Sequence, residues 1–167
     1  PNFNPKYIEK LEELALEILS APDKEIHEYE FAISTLRSLV SFYNNIDDVS
    51  CKNSFFDKVK SVTFPFLNPE FTNYDIPAKI LSIYCTFEIY LFDIFTQDFS
   101  VLEALLNILC NAEKLVINEF VFDYLRRILK FFNQLFMHCN SNGDYTEQRR
   151  SVMNEFTQPF LSVLPKF

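Results

Sequence analysis

Apolar residues recur every three or four positions along almost the whole chain, and polar residues fill the intervals. Ile8, Leu11, Leu14, Ala15, Ile18 and Leu19 predict a first amphipathic helix, opened by Asn4 as cap and Pro5 in the first turn. Pro22-Asp23 interrupts it, and a second helix is predicted from about Asp23 to Asn44 with Ile26, Tyr29, Ile33, Leu36, Val40 and Tyr43 as its buried stripe. After a polar break, Phe55, Phe56, Val59 and Val62 mark a third helix that Pro65 ends or kinks before Asn68-Pro69. Asp75 and Pro77 open a fourth, whose apolar face is Ile80, Leu81, Tyr84, Phe87 and Leu91 and whose end is expected near Asp93. Ser100 is expected to cap a fifth on Leu102, Leu105, Leu106, Ile108 and Leu109. A sixth is predicted from about Asn118 to His138, carried by Phe122, Leu125, Ile128, Leu129, Phe132, Leu135 and Phe136. Ser141 to Asp144 read as a loop, and a seventh helix from about Thr146 carries Val152, Phe156, Phe160, Leu161 and Leu164 around an internal Pro159. No stretch alternates with the period of two that a half-buried strand needs.

The helices come in pairs. ILSAPDKEIHEYEFAISTLRSLVSF at 18–42 and ILCNAEKLVINEFVFDYLRRILKFF at 108–132 align without a gap, sharing Ile18 with Ile108, Leu19 with Leu109, Lys24 with Lys114, Arg37 with Arg127, Leu39 with Leu129 and Phe42 with Phe132. The offset of 90 is two periods of 45, and FLNPEFTNYDIPAKILSIYCTF at 66–87 is the copy between them, matching Ile76 to Phe31, Leu81 to Leu36 and Phe87 to Phe42. A period of about 40–47 residues is that of helix-pair solenoids, in which each pair buries its apolar surface only by stacking on the next.

On these residues the chain resembles the armadillo and HEAT repeat family. Leu16, Leu19, Pro22, Asp23, Ile26, Glu28, Ala32, Leu36 and Leu39 follow the armadillo order of leucine-rich helix, short turn and Glu-x-x-x-Ala helix. The resemblance implies an all-α, right-handed superhelical solenoid over residues 1–167, with approximate repeats at 5–45, 50–93 and 99–139 and a partial one at 145–165. Nuclear-import adaptors of that family grip basic peptides with a Trp and an Asn four residues apart. Ser34 and Ser38, Lys79 and Ile83, and Asp123 and Arg127 stand in those places, so the resemblance is to the fold without that ladder.

Composition narrows the chemistry. Gly occurs once in 167 residues and Trp not at all, against 20 Phe. One glycine leaves little room for glycine-rich phosphate loops, tight hairpins or a strained nucleophile turn. A net charge of −8 disfavours nucleic acid or an anionic membrane as main partner. No apolar run approaches the ~18 residues of a membrane span. Cys51, Cys85, Cys110 and Cys139 are scattered singly, as expected in a reducing compartment, cytoplasmic or nuclear. His27 and His138 lie on different helices without ligand spacing, and the acidic pairs Glu12-Glu13 and Asp47-Asp48 read as solvated charge. No catalytic, cofactor or metal site is expected. Beginning at Pro1 within helical pattern, the chain is expected to be a fragment of a longer solenoid, with a Phe-rich end exposed where neighbours are cut away.

What remains is a polar stripe on the longer helices. Ser34, Arg37 and Ser41 on the second helix, Lys79, Ser82 and Thr86 on the fourth, and Asp123, Arg126, Arg127 and Lys130 on the sixth are the candidate partner-binding residues. In solenoids of this kind the second helix of each pair lines the concave surface, where a partner segment lies. The expected function is a non-catalytic protein–protein interaction module: a scaffold, adaptor or regulatory segment. The alternative is a segment of an importin- or exportin-like nuclear transport receptor that binds cargo or a small GTPase.

Overall fold

The computed structural model describes residues 5–67, 75–86, 98–116, 118–140 and 146–166. All regular structure among them is helical: α1 (Pro5–Ser20), α2 (Ile26–Asn44), α3 (Val49–Thr63), α4 (Asp75–Tyr84), α5 (Ser100–Cys110), α6 (Glu119–Asn140) and α7 (Glu147–Val163), with short 3-10 turns at Phe64–Leu67, Ala112–Lys114 and Leu164–Lys166. The expected cap at Asn4, the break at Asn68-Pro69, the positions Phe87, Leu91 and Asp93, and the 141–144 loop lie outside the described residues.

Local chemistry sets the helix ends. Asp48 and Thr146 cap α3 and α7 with side-chain oxygens that accept from the Cys51 and Arg149 amides. Glu25 and Glu28 form a reciprocal capping box, so α2 starts at Ile26, three residues later than its sequence pattern suggests. Between α1 and α2 Asp23 takes φ 66°, a left-handed turn that a short polar side chain tolerates. Ser100 lies inside α5 and does not cap it; Asp98 Oδ1 accepts its amide at 3.0 Å. Pro159 sits within α7, which continues to Val163.

The helices form two layers. α1 packs on α2 and on α3, the Phe64–Leu67 turn after α3 packs on α5, and α5 packs on α7. In the other layer α2 packs on α4 and α4 on α6. Across the layers α1 packs on α2, and α6 packs on α5 and α7. Between the layers runs a continuous core in which Leu36, Phe55, Phe56, Ile80, Tyr84, Leu105, Ile128, Phe131 and Phe132 are almost fully buried. Phenylalanine does much of the joining. Tyr43 stacks on Phe55 with centroids 4.1 Å apart. A chain of ring contacts then leads from Phe56 to Tyr84, Phe131, Phe132 and Phe156 and ends at Phe99, linking α3, α4, α6, α7 and the start of α5.

Several expected core positions are exposed. Leu11 and Leu14 of α1, Ile26 of α2, Phe122 of α6 and Leu161 of α7 are all open to solvent. Periodicity identifies an apolar face, but a helix at the end of a layer has a neighbour on one side only. The central helix α4 lacks this freedom, and Ile76, Pro77, Ala78, Ile80, Leu81, Ile83 and Tyr84 are all buried along its ten residues.

Candidate functional site

The ten stripe residues lie on the second layer, but not as one line. One period of 45 carries Arg37 to Ser82 and to Arg127; Arg37 is exposed and the other two are partly exposed. The same step carries Ser34 to Lys79 and then to Tyr124, and Ser41 to Thr86 and then to Phe131; both α6 members are buried. Arg126 stands one period from Leu81 and two from Leu36, which are core residues, yet it is exposed. The predicted stripe therefore breaks at α6. Arg126 and Lys130 of α6 are exposed, and no helix among the described residues covers them.

Several stripe side chains are held by neighbours. Lys79 Nζ bridges Asp75 Oδ2 at 2.6 Å and Glu30 Oε1 of α2 at 2.5 Å. Burial alone would lower its ammonium, but the hydrogen bonds to Asp75 and Glu30 outweigh it and leave Lys79 raised. Asp123 holds both Arg126 at 2.7 Å and Arg127 at 2.6 Å; burial works against its charge, and the two guanidiniums overcome that and lower its carboxyl. Burial raises the Cys85 thiol, opposed by the charges of Lys130 and Arg127. The hydroxyls of Ser41, Ser82 and Thr86 donate to Arg37, Lys79 and Ile83 carbonyls of their own chain segment. Of the five cations in the set, Arg37 and Lys130 have no ion-pair partner among the described residues.

A second feature escaped the periodic reading. Between α1 and α2 lies a groove of about 630 Å³. Its floor is Ile8, Leu11, Phe31, Leu39, Phe42 and Ile46, and its lip is the hydroxyl row Ser34, Thr35, Ser38 and Ser41. A smaller polar recess beside it is lined by Ser34, Arg37, Ser38 and Ser41. Thr35 and Ser38 donate to Phe31 and Ser34 carbonyls, so the lip presents methyl and methylene groups as much as hydroxyls. Phe31 is 50% exposed and Leu11 41%, and Tyr7 and Leu14 continue the exposed row at helical spacing. Only Ser34 and Ser41 of the groove were among the predicted residues. The missed signal was the match of Phe31 to Ile76, which reads as a shared core position until the helix that covers it is sought.

Glu12 also departs from expectation. It is 5% exposed rather than solvated, and its carboxylate accepts from Tyr43 Oη at 2.5 Å and Lys58 Nζ at 2.7 Å, fastening α1 to α2 and α3. Its role is structural. Among the described residues no three His, Cys, Asp or Glu side chains gather as a metal site, and no helix is long and apolar enough to cross a membrane. Against known protein families, curated proteins and solved structures the chain returns no match.

Proposed function

We propose that the chain is a non-catalytic protein–protein interaction module, a scaffold, adaptor or regulatory segment built as an armadillo- or HEAT-like right-handed solenoid, that holds a partner along the concave outer face of α2, α4 and α6. The observation that supports this reading is the packing of α2 on α4 and of α4 on α6, with Arg37, Ser82 and Arg127 one period apart in sequence and at least partly exposed. Ion pairs hold Lys79 in the middle and Arg126 and Arg127 on α6, and Arg37 and Lys130 have no ion-pair partner among the described residues. A partner segment with acidic residues suits Arg37 at one end and Arg126, Arg127 and Lys130 at the other.

The test compares proteins retained at moderate salt by the immobilised chain and by an Arg126→Ala/Arg127→Ala/Lys130→Ala variant of unchanged circular dichroism. Retained proteins that disappear with the variant support the reading; an unchanged set refutes it. The net charge of −8 favours one second reading, a nuclear transport receptor segment that takes basic cargo or a small GTPase. Retention of such a GTPase only in its triphosphate form would favour that assignment.

A further inference from the structure

We infer that the groove between α1 and α2 is the seat of an amphipathic helix supplied by a partner, laid against α2 as α2 itself lies against α4. The argument is one of equivalence within the stack. Stepping back one period from α4 takes Ile76 to Phe31, Lys79 to Ser34, Ile80 to Thr35 and Ile83 to Ser38. On α4 this face is turned towards α2: Ile76 is 1% exposed, Ile80 and Ile83 are fully buried, and Lys79 reaches across to Glu30. On α2 the same face is open, with its aromatic member half in solvent and a groove running beside it. The place of the α2–α4 contact therefore recurs on α2 as a surface that nothing in the described chain covers; Thr35 and Ser38 replace Ile80 and Ile83 there, and the apolar floor comes from Ile8 and Leu11 of α1 with Phe31, Leu39 and Phe42 of α2.

The opposite end is finished differently. The forward-facing positions are Ile33, Leu36 and Val40 on α2 and Ala78, Leu81 and Cys85 on α4, and all are apolar. On α6 they become Asp123, Arg126 and Lys130. These three residues put charge on the α6 flank that corresponds to the apolar contact faces of α2 and α4. Stacking of a second copy head to tail would press that charged flank onto the apolar groove, so the chain's own α6 is a poor occupant.

The chemistry of the occupant follows from the contact it repeats. It needs an apolar stripe of the Ile33-Leu36-Val40 kind, small enough at its centre to pass the Ser34 and Ser38 lip. It also needs an acidic residue at the edge, because Glu30 plays that part towards Lys79. Here Arg37, without an ion-pair partner among the described residues, lines the polar recess beside the lip and can receive it.

The probe is a labelled peptide of residues 26–44, held helical by a lactam bridge on its solvent face. It carries the very face that α4 accepts. Fluorescence anisotropy with the whole chain should show saturable binding. Phe31→Asp or Ser38→Arg in the chain should weaken it at least tenfold, as should Leu36→Asp in the peptide, whereas Arg126→Ala in the chain should leave it unchanged. Both chain variants alter exposed positions, and circular dichroism confirms their helix content. Absence of saturation, or equal binding by Phe31→Asp and Ser38→Arg, overturns the inference. So does a sedimentation result in which the chain alone is a dimer that Phe31→Asp dissociates, which would assign the groove to a second copy. The outer-face variant of the preceding test lies elsewhere, so either proposal can fail alone.

Discussion

Replacing Lys58 by Met should destabilise the fold by much more than a surface lysine normally does. The Glu12 side chain is 6% exposed while that of Lys58 is 55% exposed, and the two meet at 2.7 Å. An exposed pair is worth roughly 0.2–1 kcal/mol. Removing one partner of a fully buried pair costs roughly 3–5 kcal/mol, because a charge is left uncompensated away from water. This pair lies between those limits, with one member buried and the other reaching in from solvent, and Tyr43 Oη remains bonded to the carboxylate after the change. The expected loss is about 2 kcal/mol, which for a chain of this size is roughly 4–8 °C in Tm. The hydrogen bond to Glu12 is the main cause of the raised Lys58 ammonium. A group raised on folding contributes fully below its unfolded pKa of about 10.4 and loses that contribution as pH rises beyond it, so the deficit should be flat from about pH 6 to pH 9. Urea unfolding followed by circular dichroism measures the loss, and a cycle with Glu12→Leu isolates the pair. Glu12→Leu should itself cost about 1–3 kcal/mol by leaving the Tyr43 phenol, raised by burial and by Glu12, without this acceptor. In its background Lys58→Met should add almost nothing. A single-variant loss below about 0.3 kcal/mol, or additive losses in the double variant, would refute the account of Glu12 as a buried anchor.

Thr63 Oγ1 donates to the Val59 carbonyl at 2.6 Å and has one proton, so Tyr84 Oη donates to Thr63 at 2.6 Å. Tyr84→Phe should therefore cost about 1 kcal/mol of unfolding free energy while preserving the ring contacts. Asp98 is held down to about 2 by Lys60 first and by the Ser100 amide. A depressed carboxylate contributes above its unfolded pKa and loses that contribution as pH falls through the folded value, so the deficit of Asp98→Asn should be constant above about pH 5 and close between about pH 4 and pH 2. Because the Asp98 side chain is half exposed, that deficit should stay below about 1 kcal/mol and shrink in 1 M salt, as thermal melts can show. Phe160 packs on Phe132 at 5.1 Å and Phe136 at 5.3 Å and is 7% exposed, so Phe160→Ala should cost about 3–5 kcal/mol in chemical denaturation.

The chain's own pattern determined the helices. Apolar spacing of three and four, proline and capping residues at the breaks, and a single glycine leave no competing element, because these signals act within a turn or two of where they are written. The 45-residue echo carries the proposed pairing, since a helix pair with two apolar sides has to stack. Only the tertiary structure decided which apolar positions are covered. Phe31 and Ile76 are one 45-residue period apart, and one is half in solvent while the other is buried, since α4 packs between α2 and α6 whereas nothing among the described residues covers Phe31 of α2. The same difference split the predicted polar stripe at α6, where Tyr124 and Phe131 fill places that α2 gives to Ser34 and Ser41. Glu12, written into an acidic surface pattern, became an interior anchor because Lys58, 46 residues away in sequence, reaches it. Burial belongs to neighbours brought together by packing, and a local pattern carries no record of which side has one.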